Sequence, residues 1–99
     1  MNMTVSLGDR LTADDGVDAL RESIREVLRQ GRREIVLDLG QVTHIDSSGL
    51  AELLSSYTAV EGGGRRLKLA RVSKPVEDLL RITRLDRVFD VVREQRLAA

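Results

Sequence analysis

Apolar residues recur at Val17, Leu20, Ile24, Val27 and Leu28, with arginines and glutamates filling the positions between them. That spacing puts one stripe on one face of a helix and predicts an amphipathic helix over about residues 15–30. Thr12 and Asp15 have the spacing of a capping box before it, and Gly31 supplies a stop after it. Upstream, Met3, Val5 and Leu7 alternate with polar residues, as in a short strand. "GDRLTADDG" then reads as a turn-rich connection that can carry a second short strand. After Gly31 the period changes. Ile35, Val36, Leu37 and Leu39 form a near-continuous apolar run, the pattern of a central strand covered on both faces.

"QVTHID" follows, and a second helix starts near Ser48, with Leu50, Leu53, Leu54, Tyr57 and Val60 as its stripe. Gly62, Gly63 and Gly64 end it. "RLKLARV" alternates Leu67 and Leu69 with charged neighbours and reads as a strand. Ser73 with Pro75 marks the start of a third helix, whose apolar face is Val76, Leu79, Leu80 and Thr83. "VFDVV" reads as a last edge strand and "REQRLAA" as a short terminal helix. Strands alternating with helices predict one α/β domain over residues 1–99, with four or five strands in a mixed sheet flanked by helices. In that arrangement Ser47 lies in a βα loop at the carboxyl end of a strand, where open α/β sheets hold their functional sites.

Charge and composition narrow the function. Cationic and anionic residues balance at 16 each, which argues against broad attraction to nucleic acid or anionic lipid. Tyr57 and Phe89 are the only aromatics, too few for a base-stacking platform. With no cysteine and a single histidine, neither a disulfide nor a zinc site is expected, and no cofactor is implied. The opening "MNMTVSLGDRL" lacks the apolar core of a signal peptide, and no apolar run reaches the ~20 residues of a membrane span. A cytoplasmic location with no membrane partner is the expectation.

The chemistry concentrates in "VTHIDSSGLAELL". A serine hydroxyl at a helix start accepts a hydrogen bond from a free first-turn N–H, worth roughly 1 kcal/mol. One serine is enough for that, so the pair Ser47–Ser48 leaves two readings open: capping alone, or one hydroxyl held out for chemistry. Gly49 would leave the backbone accessible to a partner or ligand. A hydrolytic triad of Ser47, His44 and Asp38 or Asp46 fits poorly, because a nucleophile elbow needs glycine two residues before the serine, where Ile45 stands. "EGGGRR" runs from helix to strand, the reverse of a phosphate loop, and reads as helix termination. Asp14, Asp15 and Asp18 near the first helix's start suit its dipole without any metal. No convincing base or metal set supports an enzyme.

"IVLDLGQVTHIDSSGLAELL" resembles the signature of STAS domains, specifically the bacterial anti-sigma factor antagonists. The residues that carry it are Leu37-Asp38-Leu39, Val42, Ile45-Asp46-Ser47-Ser48-Gly49-Leu50 and Leu53. "GGGRRLKLARVSKPVEDLLRITRLDRVFDVV" resembles the family's second half. The resemblance implies that Ser47 is the phosphorylation target of a partner serine kinase, a GHKL-type ATPase that doubles as an anti-sigma factor. It implies a partner surface at Asp46, Ser47, Ser48, Gly49 and Leu50, and a protein phosphatase that resets the state. The unphosphorylated domain would bind the kinase and free the sigma factor, with no direct contact to nucleic acid. Of the two serines, this assigns Ser48 to capping and Ser47 to chemistry. The alternative is a non-phosphorylated STAS-like binding subunit of a transport ATPase complex.

Overall fold

A computed structural model describes residues 2–92 of the chain. The elements are β1 (Asn2–Ser6), β2 (Arg10–Leu11), α1 (Val17–Arg29), β3 (Glu34–Asp38), β4 (His44–Ile45), α2 (Ser47–Gly62), β5 (Arg66–Ala70), α3 (Lys74–Ile82), a 3₁₀ turn at Leu85–Arg87, and β6 (Asp90–Val92). The "REQRLAA" helix expected at the end lies outside the described residues.

Four strands form one sheet in the order β1-β3-β5-β6, and β2 pairs with β4 in a separate two-stranded ribbon. "EIVLDL" is central, between β1 and β5, as its apolar content predicts. A mixed sheet is expected, but every pairing between the named strands is parallel, and the one antiparallel bridge among the described residues, Thr12 to Asp15, lies outside them. The reason is the connectivity. Each consecutive pair of main-sheet strands up to β6 is joined by a crossover containing a helix or a helical turn, and such crossovers return the chain in the same direction.

The register stacks Val5, Leu37, Leu69 and Val91 in one row, and Met3, Ile35 and Leu67 in the next. Ile35, Leu37, Leu67 and Leu69 are fully buried against the helices. The neighbouring row holds Thr4, Val36, Lys68 and Asp90. Val36 and Lys68 are only half-buried there, and Lys68 pairs with Glu34 at 3.1 Å across the strands. The central strand is therefore covered on one face, not two: its apolar run continues through Val36 onto the open side.

α1 buries Leu20, Ile24 and Val27, and α2 buries Leu50, Leu53 and Val60. α3 adds Val76 and Leu80, and Phe89 closes the core with its ring edge-on to Tyr57 at 5.5 Å. The capping box expected at Thr12 and Asp15 is not one. These residues exchange backbone hydrogen bonds of 2.7 and 3.1 Å in a turn, and the helix begins after Gly16, whose φ of +98° a side chain would resist. Gly31 does stop α1: its N–H reaches the Leu28 carbonyl and the Arg32 N–H reaches Val27, a Schellman closure. Gly64 and Arg65 repeat the same closure on α2. No helix among the described residues is long and apolar enough to cross a membrane.

Candidate functional site

The ribbon of β2 and β4 fixes where α2 begins. Leu11 lies beside Ile45 in register, and the Leu11 carbonyl accepts a 3.4 Å hydrogen bond from the Asp46 N–H. Asp46 is therefore still extended, at φ −124° and ψ −172°, and the chain turns helical at Ser47. Such a residue is the N-cap, and the Asp46 side chain fills the role: its Oδ1 accepts from the Gly49 N–H at 3.0 Å. Its Oδ2 accepts from the Ala13 N–H at 3.1 Å. One carboxylate thus closes the helix end and ties it to the loop that leads into α1.

Those bonds stabilise the ionised form. The Gly49 N–H first, and the Ala13 N–H second, hold the Asp46 carboxyl below the usual carboxylate range, against a smaller desolvation effect in the other direction. The cap expected at Ser48 is thereby corrected. Asp46 takes the bond, because the ribbon pairing ends at Ile45 and the chain is already helical at Ser47, two residues before a cap at Ser48 would allow.

Ser47 is the first residue of α2 and is exposed, while Ser48 is half-buried. Gly49 and Leu50 are buried. Gly49 does not provide open access. A β-carbon there would overlap the Leu11 carbonyl oxygen and lie 2.9 Å from the Leu11 carbonyl carbon, so α2 and β2 touch backbone to backbone. Of the five residues expected at a partner surface, Asp46 and Ser47 face solvent, Ser48 partly does, and Gly49 and Leu50 support them from beneath.

The other candidate groups are occupied. His44 is exposed, with Nδ1 3.0 Å from the Thr43 hydroxyl. Asp38 accepts from Arg71 at 3.1 Å and from the Gly40 N–H at 2.9 Å. No hydrogen bond among the described residues links Ser47, His44 and Asp38 into a triad. A groove of about 540 Å³ runs between the ribbon and α3, with His44, Ile45, Asp46, Leu79 and Ile82 in its walls. Ile82 is 78% exposed there, the most exposed large apolar side chain among the described residues. Reading the sequence missed the double role of Asp46. The signal was present, since aspartate caps as well as serine does and stands first in "DSSG".

The chain matches, over residues 2–93, a family model described as Mlab, STAS domain. Among solved structures it is similar to a candidate anti-sigma factor antagonist from Thermotoga maritima, at 22% identity and a TM-score of 0.77, covering 96% of this chain and 85% of that one. It is similar to the anti-sigma factor antagonist SpoIIAA in its unphosphorylated form, at 19% identity and a TM-score of 0.67, covering 91% and 77%. The Bacillus cell fate determinant SpoIIAA in its phosphorylated form aligns at 20% identity and a TM-score of 0.68, covering 96% and 86%. At these identities the likeness concerns the fold. The family match extends over nearly the whole described structure, and on that ground the chain belongs to the STAS domain family.

Proposed function

We propose that this protein is an anti-sigma factor antagonist of the partner-switching kind. It binds an anti-sigma factor, a GHKL-type serine kinase, when Ser47 is unmodified, and lets it go when Ser47 is phosphorylated. A protein phosphatase resets the serine. The observation that carries the reading is the placement of Ser47. Its residue is exposed, begins α2, and stands directly after a carboxylate already committed to two backbone N–H groups.

That placement constrains the switch. A phosphate adds about −1.5 to −2 charges. A bare helix N-terminus would welcome them, but Asp46 already occupies this one. The new charge therefore gains little from the fold and must be met by solvent or by a partner. In the free protein water supplies it. Beneath a docked partner the charge is desolvated beside Asp46, and leaving a buried charge unpaired costs about 3–5 kcal/mol. About 3 kcal/mol already weakens binding more than a hundredfold. The fold survives and the contact does not.

A second reading, a non-phosphorylated binding subunit of a transport ATPase complex, is kept alive by one finding: the matched family description names a STAS domain and no sigma-factor pathway. Incubation with ATP and a cognate GHKL-type kinase separates the two. Stoichiometric phosphate on Ser47 supports the first reading. An unmodified chain that still co-purifies with a transport ATPase supports the second.

A further inference from the structure

The end of the molecule opposite Ser47 has a different charge. α1 and α2 run in the same direction relative to the sheet, and each ends in a glycine closure that leads directly into a strand. Those closures deliver Arg32 and Arg33 to the start of β3, and Arg65 and Arg66 to the start of β5. The Arg66 N–H donates to the Arg33 carbonyl at 3.0 Å, which locks the two arginine loops side by side. Between them lies a depression of about 640 Å³ lined by Arg33, Arg65, Arg66 and the glycines of the two turns, with Glu34 as its only carboxylate. Glu34 is paired with Lys68, and Arg66 reaches Asp90 only at 3.7 Å. Arg32 is bonded to Gln30. Arg33 and Arg65 form no ion pair and no side-chain hydrogen bond among the described residues.

Arginines near helix C-termini are commonly explained by the dipole and by free carbonyls. Here the Schellman N–H groups close both helix ends, and among the described residues the side-chain hydrogen bond made by these four guanidiniums is that of Arg32 to the Gln30 side chain, not to a terminal carbonyl. The dipole alone does not account for four arginines gathered at one end of a chain whose charges balance overall at 16 each. We propose that this arginine-lined depression is a second interaction surface, which docks an acidic segment of a protein partner through carboxylates held by Arg33 and Arg65. Guanidinium forks match carboxylates in a bidentate geometry. Nucleic acid fits less well, since Tyr57 and Phe89 are packed on each other and offer no stacking face. The depression lies about 24 Å from Ser47, the length of a 16-residue helix at about 1.5 Å per residue. Both surfaces can therefore be occupied together.

The test is an amide-shift titration of the ¹⁵N-labelled chain with hexaglutamate at about 0.15 M salt. Oligothymidylate and phosphatidylglycerol vesicles are titrated in parallel. The expected result is saturable shifts confined to residues 31–34 and 63–66. Affinity should fall about tenfold or more in Arg33→Ser/Arg65→Ser, with the melting curve unchanged, and should be the same in Ser47→Asp. No shift at millimolar hexaglutamate, shifts spread over the surface, or tighter binding of oligonucleotide or vesicle at this end would each overturn the proposal. None of these outcomes bears on Ser47, so the two readings stand or fall separately.

Discussion

Replacing Gly49 with alanine probes the contact that sets the site. The added methyl would overlap the Leu11 carbonyl oxygen and lie 2.9 Å from the Leu11 carbonyl carbon and 3.0 Å from its Cγ. Carbon atoms in contact prefer about 3.5–4.0 Å, and the carbonyl oxygen intrudes further than either carbon, so the backbones must separate by roughly an ångström or more. Leu11 cannot yield easily. It is 1% exposed, pairs with Ile45 and accepts the Asp46 N–H. Alanine favours a helix over glycine by about 1 kcal/mol, while overpacking a tight contact costs about 1–3 kcal/mol and sometimes more. Because the obstructing atoms are backbone, the upper end applies. The expected net loss is about 2 kcal/mol, or about 8–16 °C in melting temperature for a domain of this size. Gly62→Ala in the same helix is the control, since nothing lies within 4 Å of its added methyl. It should be neutral or slightly stabilising. Calorimetric melts that rank Gly49→Ala equal to or above wild type would refute the close approach of α2 to β2.

Leu53→Ala, at a fully buried position, should cost about 2–5 kcal/mol in urea unfolding, whereas Ile82→Ala, at 78% exposure, should change stability by less than about 0.5 kcal/mol. Asp46→Asn should keep a capping oxygen but flatten the acid side of the stability curve. The wild-type carboxyl is depressed in the folded state, so its contribution is complete above the unfolded pKa and is lost as pH falls through the folded value. Glu26, also depressed, by Arg29 and Gln30, should be neutralised in both proteins so that the comparison reports Asp46 alone; equal acid slopes would then contradict the assignment. Glu52 is buried on α2 and bonded to Arg21 at 2.9 Å. Arg21→Met should lower the melting temperature, and adding Glu52→Leu should recover most of the loss, because the unpaired buried charge goes with it; a double variant no better than the single would disprove that cause.

Local patterns carried much of this fold. The stripe of Leu20, Ile24 and Val27, the central position of Ile35 and Leu37, and the glycine stops at Gly31 and Gly64 depend on neighbours in sequence, and each appears where the chain predicts. What sequence spacing misplaced depends on distant partners. "DSSG" contains three good capping residues in a row, and only the pairing of Leu11 with Ile45 selects Asp46 among them. Gly49 reads as an opening until the Leu11 carbonyl is placed against it. Glu52 draws no reading from the sequence, because its burial depends on α1 bringing Arg21 to it. The spacing of Thr12 and Asp15 marks a real turn, but the positive φ of Gly16 moves the helix start beyond it. Ser47 itself was legible as a candidate, through the family motif more than through local chemistry, since any N-cap region offers a hydroxyl.

The most direct measurement is the affinity of a cognate GHKL-type serine kinase for this chain before and after complete phosphorylation, with the modified residue mapped in the same sample. The account predicts one phosphate, on Ser47, an unchanged fold by circular dichroism, and an affinity weakened at least about a hundredfold. Ser47→Ala should bind like the unmodified chain and accept no phosphate. Phosphate on Ser48 instead, or undiminished affinity with Ser47 fully phosphorylated, would contradict it.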